Sequence, residues 1–250
     1  MSNSSLVTCK VMSPNHSGKR THKIDRITPH SVVGQLSARN IGGCFTSTSR
    51  QASCNYGIGK EGGVCLIVDE ANRSWCSSSN ANDQRAVTIE CASDKAEPYA
   101  FNNTVYNKLI DLCVDICKRN GKKKLLWISD KNKALAYNPA PDEMLLTVHR
   151  WFANKSCPGD WLMARMGDLA NKVTARLGGS TSQPTTPSKP ASKKPSKPAS
   201  KKPSVNYTAV AKAVIRGDYG NGSARRNKLV SKFGKDGADK IQAIVNKLCS

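Results

Sequence analysis

A segment rich in proline and lysine divides the sequence and limits how much of it can fold together. Residues 179–204 contain six prolines and six lysines, and they carry no acidic and no large apolar side chain. Such a segment buries too little apolar surface to offset the entropy lost on ordering, so we expect a linker. Its unit KPASKKPS occurs twice, and Pro-rich composition favours an extended chain. We therefore predict two folded domains, at 1–178 and 205–250.

Positive charge is present in all three segments. Residues 1–178 hold 24 basic and 15 acidic side chains, and residues 205–250 hold nine basic and three acidic ones. A cationic surface attracts an anionic partner, either nucleic acid or an anionic bacterial wall. No apolar run approaches the roughly 18 residues of a spanning helix, so we expect no membrane insertion. The first residues lack the pattern of a secretory signal, which predicts synthesis in the cytoplasm.

The first domain alternates short apolar runs with longer helical patterns. Strands are predicted at Ile24–His30, Tyr56–Ile58, Val64–Val68, Val87–Glu90 and in the apolar run Met144–Val148. Helical periodicity runs through Val105–Cys117, ending at Asn120 and Gly121, and through Leu162–Leu177, with Asp160 as its expected N-cap. Strands interleaved with helices predict an α/β fold in which helices flank a central sheet.

The cysteines do not form the dense pattern of a small secreted scaffold. Ten are spread along the chain without a CxxC pair, which favours reduced thiols. Cys113 and Cys117 lie four residues apart, on one face of a predicted helix, where we favour packing in the core.

The last 46 residues show three short helical patterns separated by glycine-rich breaks. The patterns are Tyr207–Ile215, Ala224–Phe233 and Ala238–Leu248. We predict a small all-α bundle of three helices, which has room to bind a ligand but little room to enclose a catalytic pocket.

Two histidines and one cysteine stand where a catalytic zinc site would present its ligands. His30 ends an alternating strand, His149 follows an apolar strand, and Cys157 comes eight residues later. Two imidazoles and a thiolate suit zinc, and three protein ligands leave one position open. By contrast, His16 and His22 lie in a polar stretch where a solvated imidazole is expected.

Two charged residues would complete such a site. Lys155, between His149 and Cys157, could stabilise a negative oxygen beside the metal, and Glu90 could transfer the water proton. Taken alone, however, these residues favour a solvated loop charge for Lys155 and a strand-end carboxylate for Glu90, and the two histidines and the cysteine could coincide by chance.

The stretch HRWFANKSCPGDWL, which contains His149, Lys155 and Cys157, resembles the zinc site of the type 2 N-acetylmuramoyl-L-alanine amidases. These are relatives of the peptidoglycan recognition proteins and are common as phage endolysins. The resemblance extends through SPNHSGKRTHKIDRITPHSVVGQ, SRQASCNYGIGKEGGVCLIVDEANRSWCSSS, ANDQRAVTIE and DLCVDICKRNGKKKLLWISD, and so covers residues 1–178. It implies that the central sheet is mixed.

This resemblance implies residue roles and a reaction. His30, His149 and Cys157 would bind Zn²⁺, Lys155 would stabilise the oxyanion, and Glu90 falls where many members carry a catalytic glutamate. The implied reaction is hydrolysis of the amide between N-acetylmuramic acid and L-alanine in peptidoglycan, with a zinc-activated water as the nucleophile.

The chain departs from the family at two places. It has Cys54-Asn55-Tyr56 where relatives often have Tyr or His, and Trp75-Cys76 where many have Trp-His. We therefore expect Glu90 and Lys155 to carry more of the catalysis, and we assign Asn55 and Trp75 to substrate binding.

The C-terminal part resembles the Cpl-type three-helix cell-wall-binding repeat of phage lysins, through Val214–Gly217, Tyr219–Gly222, Arg226, Leu229 and Val245–Leu248. By that resemblance, the residues that would contact the sugar and peptide of the wall are Asp218, Tyr219, Asn221 and Arg226. The alternative is that they form a tight connection between helices, with a solvated arginine.

These resemblances predict an endolysin or autolysin that acts on peptidoglycan, especially a Gram-positive wall, after release or export from the cytoplasm. Two alternatives remain open: a protein that binds peptidoglycan without cutting it, and a basic nucleic-acid-binding protein. Against the second, the linker has no aromatic side chain to stack on bases, so we expect no nucleic-acid partner.

Overall fold

A computed structural model describes residues 2–179, 207–215, 219 and 222–249. The chain divides into two compact units, 1–186 and 187–250, which are treated separately below. Nearly all of the predicted linker lies outside the described residues. The domain boundaries inferred from the sequence therefore stay predictions.

A mixed sheet of seven strands forms the centre of the first unit. The strands in chain order are β1 (Cys9–Lys10), β2 (His16–Lys19), β3 (Arg26–Ser31), β4 (Tyr56–Ile58), β5 (Val64–Leu66), β6 (Asn72–Ser74), β7 (Ala86–Cys91), β8 (Lys124–Leu126) and β9 (Glu143–Leu146). The sheet order is β1-β5-β4-β7-β3-β9-β8, while β2 and β6 form a separate antiparallel pair. Strands β4, β7, β3, β9 and β8 run parallel, and β5 is antiparallel to β4. The predicted α/β fold with a mixed sheet is confirmed.

Six α-helices accompany this sheet in the described part of the first unit. They are α1 (Ala38–Gly43), α2 (Asn80–Arg85), α3 (Asn103–Arg119), α4 (Lys131–Ala136), α5 (Asp160–Met163) and α6 (Met166–Arg176). Helix α3 begins after Asn102, whose side chain accepts a hydrogen bond from the backbone N–H of Val105, and it ends at Asn120, followed by Gly121 with φ 67°. The C-terminal end follows the sequence prediction, whereas the cap at Asn102 was not predicted.

The predicted helix after Pro158 differs from the observed one. It is divided into α5 and α6, and Gly159, with φ 86°, occupies the N-cap position without a side-chain hydrogen bond. Asp160 is the first helical residue rather than the cap. Its carboxylate instead accepts a hydrogen bond from Arg150 at 2.9 Å, so a tertiary ion pair displaced the expected cap.

The core of the first unit lies between the sheet and helices α3 and α6. All six residues of β3 are buried, including its polar ones. Cys113 and Cys117 are fully buried on α3, as predicted. The nine cysteines that the structure describes in side-chain detail are free thiols.

The second unit contains α7 (Tyr207–Ile215) and α8 (Gly222–Cys249), and α8 is interrupted at Gly234, where φ is 74° and ψ 171°. The result is three helical segments, with a break at the first residue of the predicted Gly234–Gly237 turn. Their shared core consists of Ala211, Val214, Leu229, Ala238, Ile241 and Val245. None of the helices in the described ranges is long and apolar enough to cross a bilayer.

Candidate metal centre

The carboxyl ends of neighbouring parallel strands bring the predicted site residues to one edge of the sheet. His30 on β3 is the register partner of Glu90 on β7. Strand β9 pairs with the other side of β3 and ends three residues before His149. Side chains at the carboxyl ends of parallel strands converge, which is where open α/β sheets bind their ligands.

The three predicted metal ligands meet at this edge. The ligand atoms of His30, His149 and Cys157 all lie within 4.8 Å of one another. Nδ1 of His30 is 3.3 Å from Sγ of Cys157, and the two imidazole centroids are 5.1 Å apart. His30 is 1% exposed, and its Nε2 has no hydrogen-bond partner within the described structure. A buried donor set of two nitrogens and one sulfur fits zinc.

Burial keeps both imidazoles neutral. Desolvation, followed by the neighbouring His149, lowers the pKa of His30 to about 3. Desolvation and then the positive charge of Lys155 lower the pKa of His149. A neutral imidazole has a free lone pair, so both rings are ready to coordinate a cation at neutral pH. Burial, with a smaller contribution from Glu90, raises the pKa of Cys157 to about 12, and a bound cation would oppose that shift.

Ser78 holds the ring of His149. Its Oγ lies 2.9 Å from Nε2 of His149, which leaves Nδ1 as the free nitrogen of that ring. The backbone of Ser78 has φ 62°, a left-handed conformation that few non-glycine residues adopt. The sequence analysis did not single out Ser78, because nothing local marks a serine that is 71 residues away from its partner.

Glu90 lies beside the three ligands with an unusual proton affinity. Its Oε1 is 3.9 Å from the thiol of Cys76, and its Oε2 is inaccessible and lacks a hydrogen bond to the described residues. Burial raises the pKa of Glu90 to about 7, although the charge of Arg50 opposes the shift. A carboxyl group of this pKa can both take and return a proton at neutral pH.

A cavity of about 720 Å³ opens in front of these groups. Glu90, His149 and Cys157 line it, together with Lys155, whose side chain is exposed. The predicted substrate residue Trp75 also lines it, and its indole N–H donates to Ser17 Oγ at 2.7 Å. The cavity is large enough for a small organic ligand.

Asn55 does not reach this cavity, so its assignment to substrate binding is wrong. It is 0% exposed, and its amide group donates to the carbonyls of Val68 and Asp69. Its Oδ1 accepts from the backbone N–H of Thr88 and from Arg20. Because every polar atom of the side chain is used inside the fold, Asn55 joins β4 to its neighbours instead of contacting a ligand.

Left-handed backbone conformations cluster around the cavity. Among the described residues, four that are not glycine have positive φ, and three of them, Val33, Gln51 and Ser78, line the cavity. Val33, with φ 58°, is also one of the few exposed large apolar side chains. Strain of this kind concentrates at functional sites, where the surrounding structure must hold it.

The structure describes only two of the four predicted wall-contact residues of the second unit. Asp218 and Asn221 lie outside the described residues. The ring of Tyr219 is 6.4 Å from that of Phe233, and Arg226 donates to Asp239 at 2.5 Å. Neither contact involves a ligand, so the assignment of these residues stays a prediction.

Comparison with known families gives two matches along the chain. The model described as N-acetylmuramoyl-L-alanine amidase matches residues 20–160. The model described as the CW_7 repeat matches residues 208–249. A search of curated proteins gives no match.

Several solved structures are similar to part of this chain at low identity. The PlyG catalytic domain is 18% identical, with a TM-score of 0.45, over 72% of this chain and 99% of that one. A selenomethionine derivative of AmpD is 16% identical, with a TM-score of 0.48, over 67% and 96%. The amidase LysC from Clostridium intestinale URNW is 13% identical, with a TM-score of 0.42, over 68% and 98%.

Proposed function

The chain belongs to the N-acetylmuramoyl-L-alanine amidase family, and from this premise we propose that it is a zinc-dependent hydrolase of the bond between N-acetylmuramic acid and L-alanine in peptidoglycan. The observation that supports the proposal is the convergence of His30, His149 and Cys157, with His149, Cys157 and Glu90 lining one cavity. A non-catalytic wall-binding protein would have no need to keep all three ligands together with a protonatable carboxyl group.

The three ligands would hold the ion between the ends of β3 and β9. Zinc, when bound in such an open site, polarises a carbonyl and lowers the pKa of water to about 7. Neutral His30 and His149 present lone pairs, and the Ser78 hydroxyl fixes the ring of His149. The low exposure of His30 excludes bulk water from that side of the site.

Glu90 would move the proton. Its carboxylate takes a proton from the attacking water at an Oε atom and returns it to the nitrogen of the departing L-alanine. Burial raises the pKa of the Glu90 carboxyl, which makes it a stronger base toward the water proton, while a bound cation would oppose that shift.

Lys155 would face the carbonyl oxygen that becomes negative during the attack. It lines the same cavity and lies two residues before Cys157. A preorganised cation beside a developing oxyanion stabilises the transition state more than the ground state. Trp75, at the cavity wall, offers an apolar surface for the sugar or the peptide.

The C-terminal unit would attach the enzyme to the wall. The CW_7 match covers residues 208–249, and we assign wall contact to Asp218, Tyr219, Asn221 and Arg226. With 1–178 as the catalytic domain and 179–204 as the linker, wall binding raises the local concentration of substrate around the cavity. The positive charge of every segment adds attraction to an anionic Gram-positive wall. An endolysin or autolysin role follows from this arrangement.

The test is mass spectrometry of purified peptidoglycan digested by the zinc-loaded protein. We expect free stem peptides beginning with L-alanine, and we expect Cys157→Ala to lose both the products and the zinc. His22→Ala is the matched control, because His22 is an exposed histidine away from the cavity. Cleavage within the glycan or the peptide, or binding of walls without release of peptide, would refute the proposed reaction.

A further inference from the structure

We propose that Cys76 and Glu90, with the imidazole of His30, form a second site for a thiophilic divalent cation next to the first. The ligand atoms of these three residues lie within 4.8 Å of one another. Sγ of Cys76 is 3.9 Å from Oε1 of Glu90. The set therefore combines one sulfur, one oxygen and one nitrogen donor at the spacing that a single cation requires.

Two buried atoms at this second site have no partner within the described residues. Nε2 of His30, in a side chain that is 1% exposed, makes no hydrogen bond, and neither does Oε2 of Glu90. Buried polar atoms without a partner are costly and rare in folded proteins. Both atoms are on residues of the group that contains Cys76, as expected where a ligand supplies the missing interaction.

The two sites would share His30. Its Nδ1 lies 3.3 Å from Cys157, whereas its Nε2 is unpartnered, so one ring can serve two cations through two nitrogens. Two divalent ions carry four positive charges. The thiolates of Cys76 and Cys157 and the carboxylate of Glu90 supply three negative charges, and the bridging ring, on losing its N–H proton to solvent, supplies the fourth.

The donor set decides which cations enter. A thiolate prefers soft or borderline ions, so Cd²⁺, or Zn²⁺ in excess, should bind, whereas Mg²⁺ and Ca²⁺ prefer oxygen ligands. Binding converts the Cys76 thiol to a thiolate, and the released proton passes to the buffer. The second cation should bind more weakly than the first, because the first lies nearby and repels it.

Occupation of the second site would inhibit the enzyme, and this part of the inference rests on the proposed function. Glu90 cannot transfer a proton while it coordinates a cation. Inhibition by excess cation should therefore be reversible, and chelation down to one ion per chain should restore the rate.

The binding test uses the full-length protein loaded with one equivalent of zinc and then dialysed against Cd²⁺. Total metal is counted by elemental analysis, and thiolate coordination is followed by ultraviolet charge-transfer absorption. We expect the wild type to take up one equivalent more than Cys76→Ser, with the cadmium–thiolate band reduced in the variant. Cys44→Ser is the matched control, because Cys44 lines the same cavity but is exposed and outside the donor set.

Glu90→Gln provides a second variant that keeps the shape of the side chain and removes one negative donor. We expect it to lower the affinity for the second equivalent of Cd²⁺ by at least about tenfold, since even groups that only support a ligand affect metal affinity on that scale. Equal cadmium uptake by the wild type, Cys76→Ser and Glu90→Gln would overturn the second site.

The activity test compares each protein with its own rate at one equivalent of zinc. We expect excess Cd²⁺ to slow the wild type and Cys44→Ser at least about tenfold more than Cys76→Ser. Inhibition that is the same in all three would overturn the inhibitory role. The two proposals can fail separately. If one extra equivalent of Cd²⁺ binds in a manner that depends on Cys76, but the protein releases no stem peptide, the proposed function is refuted and the second cation site stands.

Discussion

At the scale of single residues, the hydrogen bond between Ser78 and His149 has the largest consequence for the site. An imidazole presents either of two nitrogens, and the 2.9 Å contact with Oγ occupies Nε2. The ring then offers Nδ1 to a cation, in a fixed orientation. Loss of a group that orients a metal ligand in this way commonly lowers metal affinity by about tenfold to a hundredfold.

Replacing Ser78 by Ala should lower zinc affinity by about tenfold to a hundredfold, because the ring of His149 loses its fixed orientation. Competition with a chromophoric chelator measures this change directly. Ser49→Ala is the control, since Ser49 is an exposed serine that does not line the cavity. If Ser78→Ala held zinc as tightly as the wild type, the positioning role of this hydroxyl would be excluded.

Replacing Lys155 by Ala should leave zinc content unchanged and lower kcat by roughly a hundredfold or more, which is the usual loss when one oxyanion partner is removed. Steady-state hydrolysis of a soluble muropeptide, together with metal analysis, separates the two effects. Lys131→Ala, at the exposed start of α4, is the control. A normal kcat in Lys155→Ala would show that the cation has no part in the chemistry.

At the scale of elements, the start of α1 packs against the turn after β4 through close backbone contact. A Cβ added to Gly59, just after β4, would lie 2.1 Å from the backbone nitrogen of Ala38, the first residue of α1. The same N–H of Ala38 donates to Oε1 of Glu61 at 3.0 Å, so this helix start is tied to the turn after β4. Any side chain at Gly59 would have to displace α1 from the sheet.

Gly59→Ala should therefore destabilise the protein by about 1–3 kcal/mol or more, the usual cost of overpacking against an immobile group. Gly43→Ala, at the end of the same helix, is the matched control, because its added Cβ meets nothing within 4 Å. We expect the control to change stability by less than about 0.5 kcal/mol. Urea unfolding of both variants measures the difference, and equal midpoints would contradict the packing argument.

At the scale of the whole molecule, two units with separate cores are joined by a cationic, Pro-rich stretch. The first unit assembles its site from three strands that are distant in sequence, so the site exists only when the sheet is complete. If the proposed site binds zinc, its occupancy and the folding of the first unit are linked.

Removing zinc with a chelator should lower the thermal unfolding temperature of the first unit by several degrees. The reason is mass action: a ligand held at about a hundred times its Kd stabilises the folded state by about 2.7 kcal/mol. Differential scanning calorimetry of the full chain, with and without chelator, measures the shift. Cys157→Ala should melt at the same temperature in both conditions, and a wild type insensitive to chelation would argue against the proposed zinc site.

Some features of this protein were accessible from the sequence alone. The C-terminal end of α3, the strands β3, β4 and β7, and the break at Gly234 follow from capping, alternation and glycine placement, which act within a few residues. The metal centre was predicted through the resemblance of the stretch that contains His149, Lys155 and Cys157 to the zinc site of the type 2 amidases.

Only the tertiary structure decided the rest. Strand register placed His30 opposite Glu90, and the packing of loops gave His149 its Ser78 partner. In the same way, Asn55 became buried with its amide bonded to backbone carbonyls, and Asp160 paired with Arg150. Each of these outcomes depends on which distant segments become neighbours. The pairing of distant segments is the one that minimises the free energy of the complete sheet and its packing. Because this free energy depends on the whole fold, no local pattern of residues encodes it.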